Sequence, residues 1–308
     1  VSGAALKFAG VVKAWGRGGK RALDELSFEV PRGSICGFVG PNGAGKTTTF
    51  SVVSGFLPPD AGEVDILGGG PFDPWRLKGR LGVLPQDAEL PGRHAPLELL
   101  AHLARLQGLS QAEAWREAED KLTLVRLDDR AREKIDTLSH GMRRRVAVAS
   151  ALVGTPELVL LDEPSAGLDP VQARSLRDAL AALRGHTTLV VSSHNLVELE
   201  QICDHVVMID RGRCLRQGSI AAVTGQQERL AWTLGPGALD LERLRAALPG
   251  CVVSLDGREL SILSVNADLD AVGLVVMQEL VTAKVAIREL RRGVSLEDRF
   301  VGDAAGEH

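Results

Sequence analysis

One stretch constrains this chain more than any other feature. Gly40-Pro41-Asn42-Gly43-Ala44-Gly45-Lys46-Thr47-Thr48 follows directly on the apolar run Ile35–Val39. It fits G-x-x-x-x-G-K-[ST] between a buried strand and a helix. Glycines there let backbone N–H groups curl around phosphate oxygens. The helix that follows aims its positive N-terminal end at the same charge. Lys46 is suited to the β- and γ-phosphates of a nucleoside triphosphate, and the Thr47 hydroxyl to Mg²⁺. The glycine order is not G-x-G-x-x-G, which disfavours a nicotinamide enzyme.

A second motif fits the first. Leu158-Val159-Leu160-Leu161 reads as a buried strand, and Asp162-Glu163-Pro164 emerges at its C-terminal end. Ligands of open α/β sheets sit at that edge. Asp162 is expected to bind Mg²⁺ through water or hydroxyl, and Glu163 to polarise an attacking water as general base. Further strands are expected at Ser34–Val39, Arg80–Leu84, Thr187–Ser192 and His205–Ile209. Helices are expected after Lys46, Pro96, Ser110, Ser139, Pro170 and Asn195. Ser110-Gln111-Ala112-Glu113 is a capping box, and Pro170 after Asp169 suits a first helical turn. Strands alternating with helices imply a largely parallel α/β sheet.

Composition narrows the class. A length of 308 residues suggests two domains. With 44% hydrophobic and 25% charged residues, a disordered or collagen-like chain is excluded. No run approaches the roughly 18 apolar residues of a spanning helix, and no signal peptide is visible. Cysteines 36, 203, 214 and 251 lack metal-ligand spacing, so the reading is a reduced, cytosolic protein. From Gln226 on there are 13 acidic and 9 basic side chains, which account for the whole net charge of −4. The neutral remainder argues against nucleic acid as the main partner. Texture also changes near Gln226. Helix (Leu239–Leu248), a strand pair around Asp256-Gly257 and helix (Leu269–Leu280) suit a small α+β domain.

The chain resembles the nucleotide-binding subunit of an ABC transporter, through motifs in that family's order. Leu138-Ser139-His140-Gly141-Met142 stands in the place of the LSGGQ signature. Gln86 follows the run Leu81–Leu84, as the Q-loop glutamine does. Ser165-Ala166-Gly167-Leu168-Asp169-Pro170 is similar to the D-loop, and Val190–Ser193 followed by His194 to the strand carrying the switch histidine. The LSxGM form followed by basic residues resembles the drug- and antibiotic-export branch.

The resemblance implies a P-loop NTPase fold: an ABC-type ATPase core over 1–225, its helical subdomain at about 88–155, and an accessory domain over 226–308. Glu163, His194 and Gln86 are implied as catalytic, with Gln86 also beside Mg²⁺. Ser139 and Gly141 are implied to face the γ-phosphate of ATP held by a second chain, and Asp169 of the D-loop to take part in nucleotide binding. Trp15 takes the place of the family's adenine-stacking Tyr, in a chain with no Tyr at all. Arg143–Arg145 reads as a solvated helix face. Leu90–Leu109 would begin the groove for a permease helix. Ser295-Leu296-Glu297-Asp298-Arg299-Phe300 is similar to the closing motif of accessory domains in bacterial drug-export ATPases.

The implied function is a Mg²⁺-dependent ATPase that powers a membrane exporter of drug, antibiotic or lipid-like cargo. The implied partners are an integral-membrane permease and a second ATPase chain, and the implied location is the inner face of the cell membrane. The alternative is a soluble ABC ATPase acting on a non-transport macromolecular partner. The single complete motif set, with no coiled-coil insert, stands against it.

Overall fold

The computed structural model describes residues 3–16, 19–193, 196–224, 229–264, 268–293 and 296–305. Contacts divide the chain into two compact units, Val1–Gln217 and Gly218–His308. Up to that boundary run β1 (Ala4–Ala14), β2 (Arg21–Pro31), β3 (Ile35–Val39), α1 (Lys46–Val53), β4 (Ala61–Ile66), α2 (Pro74–Leu77), β5 (Leu81–Leu84), α3 (Pro96–Leu106), α4 (Gln111–Leu124), α5 (His140–Ala151), β6 (Leu158–Asp162), α6 (Pro170–Ala181), β7 (Thr188–Ser192), α7 (Leu196–Ile202) and β8 (His205–Asp210), and β9 (Arg213–Ser219) ends two residues past it.

The main sheet has the order β5-β6-β7-β3-β8-β9 and is parallel from β5 to β8. Every residue of β3, β6 and β7 is buried. Such strands, covered on both faces, read as continuous apolar runs in sequence. Register aligns Asp162 with Ser192 and Ser192 with Phe38. The C-terminal ends of β6, β7 and β3 therefore open side by side.

A second sheet, β2-β1-β4, is antiparallel. Four phenylalanines tie it to the first. Phe8 stacks on Phe28 with centroids 4.7 Å apart, Phe28 meets Phe38 of β3 at 5.3 Å, and Phe38 meets Phe50 of α1 at 5.9 Å. This aromatic line anchors the two elements that flank the phosphate loop. Helices α3, α4 and α5 share their own apolar cluster, including Leu100, Ala118, Leu122 and Val146. Ser110 caps α4 with both halves of the capping box in place.

The second unit holds α8 (Ile220–Thr224), β10 (Arg229–Leu234), α9 (Leu241–Ala247), β11 (Cys251–Asp256), β12 (Glu259–Ser264), α10 (Leu269–Thr282), β13 (Ile287–Arg292) and α11 (Leu296–Ala305). Its antiparallel sheet runs β11-β12-β10-β13 around the fully buried Trp232. Arg299 Nε donates to Val223 O at 2.9 Å, tying α11 to α8. That tie draws the boundary ahead of the texture change at Gln226. Among the described residues, no helix is long and apolar enough to cross a membrane.

Candidate active site

The loop after β3 is shaped by close backbone approaches. A Cβ at Gly40 would fall 2.4 Å from Ile209 O, and one at Gly45 would fall 2.7 Å from Ala22 O. Gly45 also has φ +111° and precedes α1 without a side-chain cap. The first N–H groups of α1 thus remain available to an anion. Lys46 Nζ donates to Gly40 O at 2.6 Å and Pro41 O at 3.2 Å, folding its ammonium back over the loop. Burial lowers the Lys46 ammonium from its ordinary value, while Glu163 and Asp162 oppose that shift. Ala44 is buried, and its N–H closes a turn onto Pro41 O at 3.1 Å.

Asp162 ends β6 and is 2% exposed. Its Oδ2 accepts from Thr47 Oγ1 at 3.2 Å, and its Oδ1 accepts from Ser192 Oγ at 2.5 Å. The Glu163 N–H donates to the same Ser192 oxygen at 2.9 Å. Glu163 has φ +50°, uncommon for a residue with a side chain. Ser192 was not singled out from sequence. The signal lay in strand register, since it ends the strand beside Asp162.

These groups open onto one cavity of about 840 Å³. Its wall includes Asn42, Gly43, Gly45, Lys46, Thr47 and Thr48 from the loop, with Asp162, Glu163 and Gln86 opposite. Trp15 forms part of the wall and is 57% exposed, so its ring is free to stack. Lys20 and Arg21 also line the cavity, two cations that sequence reasoning passed over. Among the described residues, no three His, Cys, Asp or Glu side chains cluster as a metal-holding group. Thr47 and Asp162, hydrogen-bonded to each other, instead offer a sparse pair of oxygens, and Gln86 lines the same cavity. Such a set suits Mg²⁺, which keeps water and phosphate oxygens as its other ligands.

The signature residues stand away from this wall. Ser139 is the N-cap of α5, where its Oγ accepts the Met142 N–H at 3.2 Å. A Cβ at Gly141 would fall 2.1 Å from Oε1 of Gln172, whose side chain reaches across from α6. Asp169 caps α6 by accepting the Gln172 N–H at 2.9 Å. His194 lies outside the described residues.

The expected solvated face at Arg143–Arg145 is corrected. Arg143 is exposed, but Arg144 and Arg145 are buried. Arg144 reaches the carbonyls of Gln86, Asp162 and Glu163, and Arg145 those of Val125 and Arg126. Burial lowers both guanidinium groups from their ordinary value, and nearby carboxylates oppose the shift. Carbonyls at the ends of neighbouring segments replace water as acceptors. Helical spacing carried the signal: Gly141, Arg144, Arg145 and Val148 follow the i, i+3, i+4, i+7 pattern of a buried stripe.

Comparison with known proteins agrees with this geometry. The sequence pattern described as ABC transporter matches residues 23–166. A daunorubicin/doxorubicin resistance ATP-binding protein of Streptomyces peucetius is 33% identical over 307 residues, covering 96% of this chain and 90% of that protein. A linearmycin resistance ATP-binding protein of Bacillus subtilis is 34% identical, covering 70% and 69%. Among solved structures, cbiO1 of Clostridium perfringens, part of an ABC transporter complex, aligns with a TM-score of 0.65 at 26% identity. That alignment covers 73% of this chain and 92% of cbiO1.

Proposed function

We propose a working cycle for this chain from the premise that it belongs to the ABC transporter family, as an ATP-binding subunit whose hydrolysis of ATP powers a membrane exporter. The observation that carries the cycle is the meeting of Lys46, Thr47, Asp162 and Glu163 on one cavity wall. Lys46 leaves the loop carbonyls for the β- and γ-phosphates when ATP enters. That exchange gives its desolvated ammonium a stronger partner. Thr47, Asp162 and Gln86 would hold Mg²⁺, which supplies charge neutralisation at the phosphates. Glu163 accepts a proton from the attacking water, and Trp15 stacks on the adenine.

Ser139 and Gly141 stand away from their own cavity, which suits a site completed by a second chain. In this reading two copies pair head to tail, each signature facing the other's γ-phosphate. The chain attaches to the cytoplasmic face of the membrane through a permease. The similarity to two antibiotic-resistance subunits supports a drug or antibiotic as cargo. The test is to mix Lys46→Ala with Ser139→Arg, each inactive alone. Mixing creates one dimer site with an intact loop and an intact signature, so ATPase activity partly returns. Full activity of Ser139→Arg alone, independent of protein concentration, would exclude the shared site.

A further inference from the structure

We propose that Arg144 is a positioning residue for ATP hydrolysis, a clasp that carries the placement of α5 to the residues around the attacking water. One guanidinium gathers three backbone carbonyls. Nη1 donates to Gln86 O at 2.9 Å, while Nη2 donates to Asp162 O at 2.5 Å and Glu163 O at 2.9 Å. Those are the three residues that face the cavity from the ends of β5 and β6. Arg144 is 8% exposed, so little water competes for these bonds. Each is charge-assisted and short. The planar fork spreads two nitrogens over three carbonyls, whereas a lysine ammonium is a single point of charge.

Glu163 shows why a clasp is needed. Its positive φ is a sparsely populated conformation that persists only where the surroundings hold it. The structure holds it from both sides of the residue. Its N–H donates to Ser192 Oγ, and its C=O accepts from Arg144. The same guanidinium fixes the Gln86 backbone. Arg144 therefore links the Q-loop to the carboxylate pair, and both to α5. Since α5 begins at the signature, a shift of Ser139 and Gly141 on a partner's nucleotide moves Gln86 and Glu163 in their own site. The inference rests on the proposed function, because it assigns Arg144 a part in that same hydrolysis.

The experiment compares Arg144→Met, Arg144→Lys and, as an exposed control, Arg143→Met in the full chain. ATP affinity is measured by calorimetry without Mg²⁺, turnover by phosphate release with Mg²⁺, and folding by thermal denaturation. Arg144→Met is expected to lower kcat about 10- to 100-fold, the scale of a small misplacement of reacting groups. ATP affinity should stay within about twofold, as for a residue that acts on the chemical step alone. Arg144→Lys should recover part of kcat, and Arg143→Met all of it. In a Glu163→Gln background, Arg144→Met should cost several-fold less than in the wild type, because much of its effect passes through Glu163. Wild-type kcat in both Arg144 variants would overturn the inference. So would an undiminished loss in the Glu163→Gln background, or equal losses of binding and turnover. If Arg144→Met does not fold, Arg144→Lys and its pairing with Glu163→Gln distinguish the same outcomes. A wild-type chain without turnover would overturn the proposed function and the clasp together; wild-type turnover in the Arg144 variants overturns the clasp alone.

Discussion

The Ser192 hydroxyl donates to Asp162 Oδ1 at 2.5 Å across two neighbouring parallel strands. The same oxygen accepts the Glu163 N–H, so one small side chain aligns both carboxylates. Ser192 is fully buried, and no solvent stands ready to replace it. Ser192→Ala would leave a buried carboxylate oxygen and a part-buried N–H each short of a partner. Such losses cost about 1–3 kcal/mol. The expected result is a lower melting temperature and a higher Mg²⁺ requirement for ATP hydrolysis. Ser192→Thr, which keeps the hydroxyl, should recover most of both. An Ala variant with unchanged melting and Mg²⁺ dependence would remove Ser192 from the site.

The Trp15 ring is exposed on the cavity wall. Stacking of a base on an aromatic side chain is worth about 1–3 kcal/mol by alanine substitution. Trp15→Ala should therefore raise the Kd for ATP by about 5- to 150-fold, with kcat at saturation nearly unchanged. Equilibrium binding of ATP checks this. Equal affinities would make Trp15 an ordinary surface tryptophan.

Glu157 precedes β6 and joins two cations. Arg80 Nε bonds its carboxylate at 2.5 Å, and Arg32 Nη1 bonds it at 3.2 Å. The Arg80 hydrogen bond, ahead of charge attraction and of the Arg32 contact, holds its pKa below the ordinary 4.5. A folded-state pKa that is depressed gives stability that is fully present above the unfolded value. That stability fades as pH falls through the folded value. The carboxylate is 43% exposed, so screening limits the effect to about 1 kcal/mol or less. Glu157→Gln should thus lower the melting temperature at neutral pH and flatten its decline below pH 4.5. Parallel melting curves for both proteins across that range would count against the linkage.

Much of this fold was legible because its central strands are covered on both faces. Ile35–Val39, Leu158–Asp162 and Thr188–Ser192 are largely apolar runs, and the second and third end at polar groups beside the cavity. Capping residues fixed the starts of α4, α5 and α6 at Ser110, Ser139 and Asp169. The strand β1 of the β2-β1-β4 sheet escaped notice for a physical reason. Register shifts between Phe8 and Val11, and between Val11 and Lys13, break the alternation that marks a half-buried strand. The phosphate loop and the carboxylate pair could be read locally, since each is contiguous in sequence. Ser192 and Arg144 could not. Their roles come from neighbours 30 and 58 residues away, which only strand register and helix packing bring close.

Glu163 as the base in a Mg²⁺-dependent hydrolysis of ATP is the claim on which the rest depends. The most direct measurement is steady-state phosphate release from ATP by the purified chain, with Mg²⁺ and with EDTA, beside Glu163→Gln. A general base contributes about 10²- to 10⁴-fold. The expected result is release that requires Mg²⁺ and falls by that factor in Glu163→Gln, whose ATP affinity stays at the wild-type value. Release at the wild-type rate from Glu163→Gln would contradict it.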